Sequence, residues 1–404
     1  MLADPGNLDK TFAFAGLAIQ TGDYEGAIAA LERMLLIDPN LPRVKLELGA
    51  LYFRLGSFEM ARTYLENALT APNVPAQVQE RVHALLAQVK EQQAPNHFSG
   101  SILSGFRYQS NANTGPADTN VEVAGNFAQL SNTSTAQHDW NWFSVIDTHD
   151  LYDFKDQDGT VLESSGTLYL ARQFKQRQVS LAYLELTSGP RRPVPADWIG
   201  DATVRPYLIG DFVGLHDSRD YWALGAGVDF NKQFDPDTVG DIAFETRNKW
   251  YRNDATLTTN SDRDGYEYTT RLQVQRRLIA DLSLLGQIVV IDDRAKSSAQ
   301  ANTEYDFTLG LTYTYLPPVH FTAAKWVSNV TVTRAYIPYD SPDPTVDPNE
   351  TRFDRDWRLS LITTVPVADD WALVGTLGRT LRASTIPNFA YQDNTASIAA
   401  SWRF

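Results

Sequence analysis

Twelve residues, Glu304 to Tyr315, alternate without an error. Tyr305, Phe307, Leu309, Leu311, Tyr313 and Tyr315 fall on one side of an extended chain, with Glu304, Asp306, Thr308, Gly310, Thr312 and Thr314 on the other. Side chains of a β-strand point to opposite faces in turn, so this stretch is a strand with one apolar and one polar face. The same grammar recurs in "DYWALGAGVDF", where Trp222, Leu224, Ala226, Val228 and Phe230 oppose Tyr221, Gly225, Gly227 and Asp229. It recurs again in "GYEYTTRLQVQRR", where Tyr266, Tyr268, Leu272 and Val274 oppose Glu267, Thr269, Arg271, Gln273 and Gln275. Such strands run about ten to fourteen residues, longer than the five or six usual in globular proteins and matched to a tilted membrane crossing. Aromatic residues such as Trp140, Trp142, Trp222, Trp326, Trp357, Trp371 and Trp402 collect near strand ends, as girdles at two lipid–water interfaces would.

The pattern therefore predicts an antiparallel transmembrane β-barrel over residues 96–404, because in lipid only closure leaves no unpaired strand edge. The hand count is about fourteen strands, an even number as such barrels require. The spans are 99–110, 139–152, 161–173, 178–188, 201–213, 220–231, 239–251, 265–277, 281–292, 303–316, 325–337, 352–365, 370–382 and 390–404. Connections near 112–138, 252–264, 293–302 and 338–351 are expected to share the outer side. "FKQRQ" would then be external yet short, and "TSGPRRPVPADWIG" periplasmic yet long.

The first hundred residues follow a different period. Ala27 and Ala61 are 34 apart, as are Gly22 and Gly56, Tyr24 and Phe58, and Leu31 and Leu65. Small residues at Ala15 and Gly49 suit close helix crossings, and Pro39 ends the first unit. A 34-residue helix–turn–helix repeat resembles the tetratricopeptide family over about residues 8–93. A third helix, "PAQVQERVHALLAQVKEQQ", places Val78, Val82, Leu85, Leu86 and Val89 on one face and reads as a solenoid cap. The resemblance implies a concave groove for an extended peptide, lined by Phe12, Ile19, Arg43, Leu46 and Phe53, with Glu80 and Ala84 from the third helix. The alternative for this unit, residues 1–95, is a spacer or dimerisation element.

Composition narrows the function. The net charge of -14 argues against nucleic acid as a partner. No cysteine is present, which suits an oxidising compartment and removes disulfides and thiolate metal sites. No run of eighteen apolar residues offers a membrane-spanning helix. Residues 1–30 carry Asp4, Asp9, Asp23 and Glu25 without a basic start and apolar stretch, so no secretory signal is read in this numbering. Histidines His83, His97, His138, His149, His216 and His320 are scattered, and "SDRDG" and "DPDTVGD" resemble only half of a calcium loop. The chain is read as a non-enzyme with no cofactor, metal or catalytic residue.

A short tetratricopeptide unit, then "PNHFSGSILSGFRYQSNANTGP", then a barrel ending in an aromatic residue resembles the Slam family, the surface lipoprotein assembly modulators. Gly100, Gly105, Arg107, Tyr108, Asn111 and Asn113 carry the match in the first strand, and "TVRPYLIGDFVGL" in the middle. The resemblance implies an outer-membrane protein of a Gram-negative bacterium, its helices in the periplasm, that delivers lipoproteins or other polypeptides to the cell surface. Implied partners are the exported polypeptide, a periplasmic chaperone, the barrel assembly machinery and outer-membrane lipid. The family's helical region is larger, which points to a divergent substrate range.

Exopolysaccharide exporters use the same two parts with far longer helical regions and supply the competing function. A plain diffusion porin or adhesin with an accessory domain is the third. If the apolar face meets lipid, Arg107, Arg205, Asp211, Asp229, Glu267, Arg271, Glu304, Asp306, Asp354, Asp356, Arg358 and Arg382 face the lumen. Both signs are present, so ion pairs across a narrow or plugged lumen are expected rather than a single-sign channel. Trp402 and Phe404, on one face with Ile398 and Ala400, resemble the signal that the barrel assembly machinery recognises.

Overall fold

A computed structural model describes residues 7–71, 74–131, 134–194, 200–215, 218–253, 258–317 and 324–404. His216, His320 and parts of the connections named above lie outside the described residues. The chain divides into two compact units, Met1–Pro95 and Asn96–Phe404.

The first unit consists of α1 (Leu8–Thr21), α2 (Tyr24–Ile37), α3 (Pro42–Arg54), α4 (Phe58–Leu69) and α5 (Ala76–Gln92). Asn7 and Asp23 cap α1 and α2, their side chains accepting from the amides of Lys10 and Gly26. Gly22 and Gly56, one repeat apart, both adopt the left-handed conformation, φ 80° and 73°. Ala27 and Ala61 are fully buried. A β-carbon on Gly49 would stand 2.6 Å from the Leu65 side chain, so the small residue is what lets α3 and α4 approach. Two apolar clusters result, one built on Leu31, Leu48 and Leu51, the other on Leu46, Leu65, Val82 and Val89.

The second unit is a closed barrel of fourteen antiparallel strands. They are β1 (Asn96–Gln109), β4 (Asp139–Asp153), β5 (Val161–Gln173), β6 (Leu181–Pro193), β7 (Ala202–Leu215), β8 (Ser218–Asp235) and β9 (Thr238–Tyr251). The ring continues with β10 (Gly265–Ile279), β11 (Leu282–Ala295), β12 (Asn302–Tyr315), β13 (Trp326–Pro338), β14 (Phe353–Pro366), β15 (Trp371–Ser384) and β16 (Tyr391–Arg403). Neighbours in sequence pair, and β1 closes the ring against β16, Ser101 opposite Arg403 through Gln109 opposite Thr395. A further pair of main-chain hydrogen bonds joins Gly100 and Phe404.

The register puts the apolar positions outside. Leu208, Leu309 and Ile398 are 71%, 64% and 63% exposed in mid-strand. Each such side chain gains about 1.5–3 kcal/mol when removed from water, which for this face means insertion into lipid. Outward aromatics gather at both ends: Trp222 stacks on Trp250 at 4.2 Å near one end, while Trp371, Trp402, Phe404 and Phe98 meet near the other. Among the described residues no helix is long and apolar enough to cross a membrane.

Two differences from the sequence reading have physical causes. The connection at 112–138 contains a hairpin, β2 (Asn120–Val123) and β3 (Asn126–Gln129), turning through Ala124 and Gly125 at φ 49° and 72°. Asn388 clamps it, accepting from the Glu122 amide at 2.7 Å and donating to the Glu122 carbonyl at 2.8 Å, and the Ala124 amide donates to Thr345. Four-residue strands stabilised by other loops leave little periodicity to read. The second difference is β6, which continues past 188 through "GPRRP". Pro190, lacking a donor, sits where the ladder to β7 lapses between Ser188 and Arg192, the one place a proline is harmless.

Candidate functional site

Each unit carries a candidate surface. In the helical unit Phe12 on α1 is half-buried with the Arg43 guanidinium of α3 5.3 Å above its ring, so these two do meet. Ile19 packs against the first cluster and Phe53 lies edge-on to Phe58 at 5.6 Å. Leu46 is core: α5 lays Val78 and Val82 over it, leaving it 2% exposed and out of reach of a ligand. Glu80 and Ala84 are exposed on α5.

Behind this surface Glu32 accepts hydrogen bonds from the hydroxyls of Tyr52 and Tyr64, both 3.2 Å, whose rings stack at 5.4 Å. Burial, reinforced by the Glu32 carboxylate, raises both phenols above the ordinary tyrosine value of 10.0, Tyr64 to about 12. Both hold their protons to higher pH in the fold than in the unfolded chain. Their contribution is therefore complete below pH 10 and is lost as pH rises through 12. The thermal midpoint of the helical circular-dichroism signal is expected to fall over that range, and to fall less in Tyr52→Phe/Tyr64→Phe. Parallel curves for the two proteins would contradict the assignment.

Inside the barrel the charges form two networks. One spans β5 to β11, its two groups of ion pairs joined by Tyr207, whose ring lies 4.8 Å from the Arg205 guanidinium and whose hydroxyl donates to Glu245 at 2.6 Å. Arg191 and Arg205 contact Glu163 and Asp229, with Arg191 to Asp229 at 2.9 Å. Arg247 reaches Asp211 (3.3 Å), Glu245 (2.6 Å), Glu185 and Glu267, while Lys249 joins Glu267 (3.1 Å) to Asp293 (2.6 Å). The other spans β12 to β15. Arg358 contacts Glu304 (2.7 Å), Asp306 (3.1 Å) and Asp356 (2.9 Å), and Arg382 grips both oxygens of Asp356 at 2.7 Å. Asp354, fully buried like Asp356, holds Arg352, whose guanidinium lies against the rings of Tyr339 (4.4 Å) and Phe389 (3.5 Å).

Arg271 stands 3.6 Å from Asp241, and Arg107 donates to the Tyr169 hydroxyl at 2.5 Å. Arg107, Arg205, Arg271, Asp306, Asp354, Asp356, Arg358 and Arg382 thus share the inner face. The expectation of pairs across the lumen is corrected. In a ring of fourteen strands no pair named above links strands more than three places apart, so the networks run along the wall. Arginine and lysine side chains reach only a few strand spacings of about 4.8 Å. Glu163, Glu185, Arg191, Glu245, Arg247, Lys249 and Asp293 were missed, although "ETRNKWY" already alternates Glu245, Arg247, Lys249 and Tyr251 on one face.

Between β5 and β15, across the closing seam, the inner face changes character. Leu103, Phe143, Val145, Tyr169, Ala171 and Ala399 form an apolar cluster. Outside, Trp402 and Phe404 face lipid, Phe404 tilting onto Phe98 with ring centroids 5.9 Å apart. Asn111 and Asn113 tie down the connection after β1: the Asn111 side chain accepts from the Gly115 amide, and Asn113 accepts from Gln137 and donates to Thr135.

Residues 15–89 match the family model of the tetratricopeptide repeat. No curated protein matches the chain. Among solved structures, the chain is similar to an anion-selective porin from Comamonas acidovorans at 9% identity, 76% of this chain, 99% of that one and TM-score 0.38. CdiB from Escherichia coli follows at 11% identity, 76% of this chain, 63% of that one and TM-score 0.41. An outer membrane channel from Pseudomonas putida F1 stands at 10%, 76%, 95% and 0.38. These are likenesses of outline, and the barrel rests on its own strand pairing. The chain joins a tetratricopeptide-repeat unit to a closed fourteen-strand barrel of the outer-membrane kind.

Proposed function

We propose that the protein moves lipoproteins or other polypeptides across the outer membrane to the cell surface, without a chemical step of its own. In this reading the repeat unit lies in the periplasm and captures the polypeptide or its chaperone at the surface around Phe12 and Arg43, and the barrel is the export route. The observation that carries it is the fusion in one chain of a peptide-binding type of repeat to a closed barrel. The inner wall supports it over glycan export. An acidic polymer asks for unpaired cations, whereas the arginines and lysine of both networks are engaged by carboxylates that outnumber them.

The test is surface exposure of a tagged lipoprotein encoded beside this gene, read by antibody labelling of intact cells. Deleting residues 8–93 is expected to lower labelling about tenfold, equivalent to losing 1.4 kcal/mol or more of capture. The truncated barrel should still migrate differently before and after heating on a denaturing gel. Undiminished labelling by the truncated chain would rule out capture by the repeats. Unchanged labelling in cells lacking the whole protein would rule out the export reading.

A further inference from the structure

Three arginines on adjacent strands face away from the barrel interior. Arg334 of β13 stands in register with outward Phe307 and Trp357, Arg355 of β14 with Tyr336, and Arg379 of β15 with Leu359. Arg334 and Arg355 lie toward the end of the barrel opposite the one where Asn96 and Arg403 stand, Arg334 shortly before Pro338 and Arg355 just after Phe353, while Arg379 stands near the middle of β15 on the side of Ser384. Among the described residues none of the three has a carboxylate within ion-pair distance. Arg334 stacks on Trp357 at 4.9 Å and donates only to the main-chain oxygen of Asp356. Arg294, outward on β11, differs in having its acid, Asp292, at 2.9 Å. An arginine on the lipid face costs about 2–4 kcal/mol at the midplane and little near the interface, where its long stem lets the head reach up to polar groups.

Arg334 and Trp357 also line two depressions at once. One, about 620 Å³, is bordered by Arg334, Arg355, Trp357, Leu381 and Gln392. The other, about 500 Å³, runs along the outer face over Leu272, Gly286, Ile288, Phe307 and Leu309. Gly286 forms part of its floor, and a β-carbon there would meet nothing within 4 Å. A cationic shelf that opens onto an apolar groove matches a molecule with phosphate at one end and an acyl chain at the other. Strands lie about 4.8 Å apart, so Arg334 and Arg379 are on the order of 10 Å apart and can hold two phosphates rather than one.

We propose that this face binds a bisphosphorylated, acylated glycolipid, lipid A, with its phosphates on Arg334, Arg355 and Arg379 and one acyl chain in the groove over Gly286. The site lies outside the barrel and makes no use of the export route. Its assignment to the outer leaflet rests on the orientation given under the proposed function, whereas its chemistry does not.

The test is titration of detergent-solubilised full-length protein with fluorescent lipid A. Wild type is expected to bind saturably. Arg355→Gln/Arg379→Gln and Gly286→Phe should each bind about tenfold more weakly or worse, as loss of charge-assisted hydrogen bonds or of groove volume requires. Arg276→Gln, on β10 toward the Asn96 end, should bind as wild type, and all variants should keep the heat-dependent gel shift. Dephosphorylated lipid A should fail to compete, which reads the phosphate requirement on unmutated protein. Equal binding by wild type and the double variant, or equal competition by phosphatidylglycerol or by the dephosphorylated lipid, would overturn the proposal. None of these outcomes depends on whether the protein exports a polypeptide.

Discussion

Replacing Asp356 with alanine is expected to destabilise the barrel by about 3–5 kcal/mol, the usual cost of removing one partner from a buried ionic network. Asp356 is fully buried and is the hub of the second network: Arg382 holds both its oxygens at 2.7 Å and Arg358 donates at 2.9 Å. Without it Arg382 keeps Asp354 at 3.4 Å, and Arg358 keeps Glu304 and Asp306 on the far side of β13. The two guanidiniums would face each other with no anion between them. Because the damage is an uncompensated charge, Asp356→Ala/Arg382→Ala should lose less than the sum of its single variants, a non-additivity expected of groups in one network. Urea unfolding in vesicles, followed by tryptophan fluorescence, measures both effects. Superposed unfolding curves for wild type and Asp356→Ala would refute the role of the network.

That hub could be named before the fold was known but could not be assembled. "FDRDWRLS" alternates Asp354, Asp356 and Arg358 with Trp357 and Leu359, so the inward set follows from period alone. Which acid meets which base depends on strand register. Arg358 reaches Asp306 because β12 and β14 flank β13 with Arg358 opposite Thr333 and Asp306 opposite Ala335, and no local pattern encodes that stagger. The strands were legible for the same reason that Glu304–Tyr315 was: lipid outside and water inside impose two environments on every long strand.

Leu46 shows the opposite limit. Its position in the repeat matches groove residues elsewhere, but with only two repeats the cap helix packs directly over it, a tertiary fact that helical spacing does not carry. The hairpin at Asn120–Gln129 escaped because its support comes from Asn388 and Thr345, more than two hundred residues away.

Closing the ring is the step that one added side chain can prevent, and Gly105→Val is expected to abolish the folded, heat-shifted barrel. Gly105 sits in the middle of β1 opposite Ala399 of β16 and Phe143 of β4. A β-carbon there would run into the Ile398 carbonyl oxygen and lie 2.5 Å from the Ala399 α-carbon. Those atoms are main chain and cannot rotate away, so β16 would have to move out of hydrogen-bonding distance. An open seam in lipid exposes unpaired amides and carbonyls at several kcal/mol each, which the remaining pairs cannot offset. Gly375 provides the comparison: it lies opposite Ile398 on the other flank of β16, and a β-carbon there would meet nothing within 4 Å. Gly375→Ala should therefore fold as wild type while Gly105→Val leaves only the unshifted, protease-sensitive band. A Gly105→Val protein that retains the heat-dependent shift would mean that the β1–β16 seam is held by something other than its close main-chain fit.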